Sequence, residues 1–76
     1  MFNNKSKSAR KEVEAIFKEI QINLENNYKD LAIGARKNAE KRLSELKADG
    51  SLSDKDYAKL KATLDDYTKR MEGYHH

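Results

Sequence analysis

The sequence predicts an all-α protein: an antiparallel helical hairpin, one long helix and one short, that dimerises into a helical bundle. Three observations predict it. The 76 residues include no proline and only three glycines, Gly34, Gly50 and Gly73, so little in the chain interrupts a helix. Charged residues make up 38% of it, as in solvent-exposed amphipathic helices. Apolar residues also recur at helical spacing along nearly the whole chain.

The chain opens on a basic arm. Lys5, Lys7, Arg10 and Lys11 lie within the first 11 residues and no acid accompanies them, whereas the rest holds 12 of the 16 bases and all 13 acids. Residues 1 to 7 are read as flexible. The four cations are candidate phosphate contacts, to a nucleic acid or an anionic membrane surface.

The long helix is expected over about 8 to 48. Its apolar stripe runs through Val13, Phe17, Ile20, Leu24, Tyr28, Leu31, Ala35, Ala39, Leu43 and Leu46, every step three or four residues. Phe17, Ile20 and Leu24 recur eleven residues on as Tyr28, Leu31 and Ala35, the period of a nearly straight packing seam. This register passes unbroken through Asn26 and Asn27. A reversal there would want glycine or proline, and neither is present. The alternative is a turn at Asn26–Asn27, with Asn27 and Asp30 opening a new helix and the chain closing into a three-helix bundle.

A second turn is written more plainly. Gly50 stands where a helix C-terminus wants positive φ, with Lys47 in the last turn before it. Ser53 suits an N-cap, Asp54 and Asp56 favour the positive end of the helix dipole, and Leu52 with Tyr57 forms a hydrophobic staple. A short helix is therefore expected over about 54 to 74. Tyr57, Leu60, Leu64, Tyr67, Met71 and Tyr74 form one narrow heptad stripe along it. Its tyrosines, with Tyr28, read as rim residues of a packed seam.

At 1.5 Å per residue the long helix would measure about 60 Å and the short one about 30 Å. The overhang leaves Val13, Ile16, Phe17, Ile20 and Leu24 as the candidate interface, for a homodimer or for another helical protein. In the three-helix alternative the chain covers them itself. Ile22 and Ile33, on the charged side, fit neither arrangement. Residues 8 to 74 are read as one domain and His75–His76 as a tail.

Residues 43 to 64, LSELKADGSLSDKDYAKLKATL, resemble the SHOCT-type short helical motif. The resemblance rests on Gly50, Leu52, Ser53, Asp54 and Tyr57, followed by Leu60 and Leu64. It covers under a third of the chain. It implies an accessory or oligomerisation element, and no chemistry.

The residue inventory argues against catalysis. Without cysteine there is no disulfide, thiolate zinc site or thiol nucleophile. The only imidazoles are His75 and His76, so a catalytic triad lacks its base. DGSLSDKD clusters oxygens, but an EF-hand loop begun at Asp49 would place Asp54 where glycine is required and Leu60 where a bidentate glutamate is required. Glu12, Glu14, Glu19 and Glu25 are interleaved with lysines as solvated helix charges. No enzyme activity, cofactor, metal or small-molecule substrate is expected. Neither a signal peptide nor an apolar run of about 20 residues is present, so a cytoplasmic protein is expected. The function expected is protein–protein interaction or oligomerisation, as an adaptor or regulatory subunit. The alternative is a small nucleic-acid-associated protein that uses the basic arm.

Overall fold

The structure, a computed structural model, describes residues 4 to 74. It is all-α. Helix α1 spans Asn4–Glu25, α2 spans Lys29–Ala48 and α3 spans Asp54–Arg70, followed by a single 3-10 turn at Glu72–Tyr74. The three helices lie side by side in a rod of 44 × 17 × 15 Å. Contacts between them give their directions. Glu12 meets Arg42, Ser6 meets Asp56 and Gln21 meets Tyr67. Helix α2 therefore runs antiparallel to α1, and α3 returns parallel to it.

The single helix expected over 8 to 48 is not formed, because the chain turns at Asn26–Asn27. The turn is built from backbone hydrogen bonds. The Tyr28 N–H donates to the Asn23 carbonyl at 2.8 Å and the Asn27 N–H to the Leu24 carbonyl at 3.1 Å, the paired bonds of a Schellman cap. That cap needs a left-handed residue at its corner, and Asn27 supplies it with φ +61°. Glycine is the usual occupant, but asparagine is the residue that most readily replaces it. Asn27 thus ends α1; it does not open α2, whose N-cap is Tyr28 with no side-chain bond.

The second turn follows the expectation. Gly50, at φ +79°, occupies the same corner, with the Ser51 N–H donating to the Leu46 carbonyl at 2.9 Å and the Gly50 N–H to that of Lys47 at 3.2 Å. Ser53 then caps α3, its hydroxyl accepting from the Asp56 N–H at 3.1 Å. Lys47 straps the turn: its ammonium lies 3.7 Å from Asp54 and 4.5 Å from the centre of the Tyr57 ring.

One core runs the length of the rod. Helix α1 gives it Ala9, Val13, Phe17 and Ile20; α2 gives Ala32, Ala35, Ala39, Leu43 and Leu46; Leu52, Leu60, Leu64 and Met71 complete it. The α1 share of this core is bulky and three of the five α2 residues are alanines, small side chains that let helices approach closely. Their contact is the most extensive in the molecule, and that between α1 and α3 is thinner. The buried stripe of α2 therefore differs from the one read in the sequence. Tyr28 is 56% exposed and Leu31 60% exposed, while Ala32, one residue on, is fully buried. The eleven-residue repeat does not mark a packing seam here. Ile22 is half exposed, and Ile33 packs partly buried against the core. Helix α3 stops at Arg70, short of 74, where the Met71 N–H is shared between the Tyr67 and Thr68 carbonyls and the chain tightens into its 3-10 turn.

Candidate interaction surface

The thin contact between α1 and α3 leaves a groove of about 700 Å³. Its floor is apolar, formed by Phe17, Leu60 and Tyr67. The Phe17 and Tyr67 rings stand 5.8 Å apart, tilted by 41°, an arrangement close to the favoured offset geometries of aromatic pairs. Each aromatic reaches the groove because it flanks a buried position: Phe17 precedes Ile20 by one turn, and Tyr67 follows Leu64 by one turn.

Polar groups fix the two ends. Near the α1 N-terminus, the Ser6 hydroxyl donates to Asp56 at 2.9 Å. Arg10 bridges Asp56 at 3.9 Å and Glu14 at 4.0 Å. Toward the other end, the Tyr67 hydroxyl donates to the Gln21 side-chain oxygen at 3.1 Å, while the Arg70 guanidinium lies 5.2 Å from the Tyr67 ring. Lys18 on the α1 wall and Lys59 on the α3 wall line the same groove, and among the described residues neither makes an ion pair. Arg10 alone serves both acids, so with Lys18 and Lys59 the groove sets three cations against two carboxylates and is positive by a single charge.

On the opposite side, between α1 and α2, lies a smaller hollow of about 250 Å³. Arg42 closes it, gripping both carboxylate oxygens of Glu12 and reaching Glu45 at 3.2 Å. The hydrogen bonds from Arg42 hold the Glu12 carboxyl below the usual carboxylate range. At the second turn, hydrogen bonds from Ser51, through its hydroxyl and its backbone N–H, lower Asp49 in the same way.

The residues expected to form an exposed interface lie inside the chain. Val13, Phe17 and Ile20 are core residues, and Ile16 and Leu24 pack partly buried against them. Folding at Asn27 lays α1 along α2 and α3, so the overhang has its own cover. Phe17 alone also shows an edge to the groove. The basic arm is likewise redrawn. Residues 4 to 7 form the start of α1, while residues 1 to 3 and the His75–His76 tail lie outside the described residues. Lys5, Lys7 and Lys11 are exposed, Lys5 lying toward Asp49 of the second turn. Arg10 is committed to the groove acids. Lys7, Arg10 and Lys11, spaced three and four residues apart, share one side of α1, and Lys5 lies off it.

Sequence reasoning missed the groove because Phe17, Leu60 and Tyr67 lie on the apolar stripes themselves and read as core. Their only signal was the step from leucine to tyrosine at 67, an apolar position with a polar tip. No three side chains capable of holding a metal come together among the described residues, and no helix there is long and apolar enough to cross a membrane. No protein family, characterised protein or solved structure matches the chain.

Proposed function

We propose that this chain is a small non-enzymatic module that binds another protein, taking an amphipathic helix with acidic flanks into the groove between α1 and α3. In this reading the closed three-helix bundle is the binding unit. The observation that carries it is the groove itself, an apolar floor of Phe17, Leu60 and Tyr67 with uncommitted Lys18 and Lys59 on facing walls. A helix laid there would cover the floor with its apolar stripe. Acids flanking that stripe would meet the two lysines, which favours register and speed of encounter more than raw affinity. The resemblance of residues 43 to 64 to an accessory helical motif agrees with such a role. Catalysis is not part of the reading, because the carboxylates of the groove are bound to Arg10 and Ser6 and lack a partner base.

The test uses a synthetic amphipathic helix with leucines on one face and glutamates on both flanks, titrated calorimetrically into the protein. Binding is expected. Lys18→Glu with Lys59→Glu should weaken it at least tenfold without lowering the melting temperature, and a peptide with lysine flanks should not bind. Equal binding of both peptides would overturn the reading. A duplex DNA titrated at low salt is the counter-test: tight binding that falls steeply with salt would move the function to a nucleic-acid role for Lys5, Lys7, Arg10 and Lys11.

A further inference from the structure

The two turns of this rod are not held alike. The second has a glycine at its corner, a side-chain cap from Ser53 and the Lys47 strap. The first has an asparagine at φ +61° and an α2 N-terminus without a side-chain cap. Beside this turn lie the large apolar side chains that are exposed among the described residues, Ile22 at 48%, Tyr28 at 56% and Leu31 at 60%. Tyr28 and Leu31 are the residues that continue the stripe of Phe17, Ile20 and Leu24 if the helix runs on.

We infer that the Asn26–Tyr28 turn is a hinge and that the partner it serves is a second copy of this chain. When the hinge straightens, α1 and α2 become one helix from about 4 to 48, and α1 leaves its own α2–α3 hairpin. Its apolar face, Val13, Phe17 and Ile20, then has one surface already shaped to receive it, the identical hairpin of another copy. Two chains exchange α1 reciprocally and recover every closed-form contact, now between chains, including Glu12 with Arg42 and Gln21 with Tyr67. The exchange adds one contact that the closed form lacks. Tyr28 and Leu31 of the two long helices come together where the lobes join, which covers the apolar surface left open in the single chain. The α2–α3 hairpin remains intact throughout because its turn is the reinforced one.

The exchange also rebuilds the α1–α3 groove twice, each time from both chains. The dimer therefore offers two grooves at a fixed separation, and a partner carrying two helices would gain avidity from it. The exchange itself does not depend on what the groove binds.

The test exploits the absence of native cysteine. Glu12→Cys with Arg42→Cys places thiols across the α1–α2 contact, and a short bis-maleimide records on a denaturing gel whether that contact lies within or between chains. Three hinges are compared on this background by light scattering across a hundredfold concentration range. The native hinge should pass toward twice 8.8 kDa as concentration rises. Asn27→Gly, free to adopt positive φ, should hold the chain monomeric and linked within itself. Asn26→Ala with Asn27→Ala, which favours helix, should tighten the dimer about tenfold per hinge and link between chains. A double-alanine chain that stays monomeric at every concentration overturns the inference. So does a dimer whose link remains within each chain, which would mean association through another surface. Should the double-alanine chain fail to fold, the native hinge decides: links between chains that rise with concentration support the exchange, and links only within chains at the highest soluble concentration refute it.

Discussion

Ile20 and Leu31 exchange importance depending on whether the chain turns at Asn27, which makes them the sharpest pair to perturb. Ile20 is fully enclosed, at 0% exposure, whereas Leu31 is 60% exposed. Ile20→Ala removes three buried carbons, about 2.4 kcal/mol at about 0.8 kcal/mol each. The cavity left behind raises the loss to about 3–4 kcal/mol. A domain of this size has about 4–11 kcal/mol of stability in all, so one such substitution removes about a quarter of it or more. The melting temperature should fall by at least about 12 °C. Leu31→Ala leaves little cavity and places a better helix former on the surface, so about 0.5 kcal/mol or less is expected. Urea unfolding followed by circular dichroism, with equal slopes in both variants, gives the difference directly. Measured at dilute protein, the midpoints should not depend on concentration. A loss of about 2 kcal/mol or more from Leu31→Ala would refute the reasoning, because it would mean that the continuous stripe, and not the Ala32–Ala35–Ala39 stripe, faces the core.

Three further outcomes follow from the same packing. Ser53→Ala leaves the Asp56 N–H without its acceptor and should cost about 1 kcal/mol, whereas Ser53→Gly should cost only a few tenths, both read by thermal unfolding. Ala39→Leu forces a large side chain into the core, where Ala39 is fully buried, and should cost about 1–3 kcal/mol by urea unfolding. Acid should destabilise the fold in a defined window. Glu12 and Asp49 are both held below their ordinary values, so their contribution is fully present above the unfolded value and is lost as pH falls through the folded one. Stability measured from pH 7 downward should stay level to about pH 5 and decline below about pH 4. Glu12→Gln should flatten that decline slightly, since the Arg42 pair is open to solvent.

The all-α class and the whole of the second turn were legible in the sequence. Gly50, Ser53, Asp56 and Lys47 each have a strong local preference for the place they occupy, and local preferences are what a sequence displays. The first turn was not legible for a related reason. Asparagine is a poor residue within a helix and an acceptable one at positive φ, so Asn26–Asn27 fits either reading with only a small difference in local energy. The hydrophobic pattern then tipped the balance the wrong way, because Tyr28 and Leu31 weigh heavily on any apolar scale while Ala32, Ala35 and Ala39 weigh little.

Those alanines decide the arrangement through distance, not through hydrophobicity. A helix presenting leucine or isoleucine at 32, 35 and 39 would hold α1 farther away, and the close contact that favours folding back at Asn27 would be lost. Small side chains permit that approach but contribute little burial of their own, so the apolar area there is supplied by larger core residues such as Val13, Ile20 and Leu43. The same asymmetry opens the groove. With α1 drawn onto α2, its contact with α3 is thinner, and the groove lined by Phe17, Leu60 and Tyr67 lies between them. The groove is thus a consequence of where the small residues lie. Ala35→Leu with Ala39→Leu should therefore do more than strain the core: by pushing α1 off α2 it should change the width of the groove, and with it any binding of the acidic amphipathic helix.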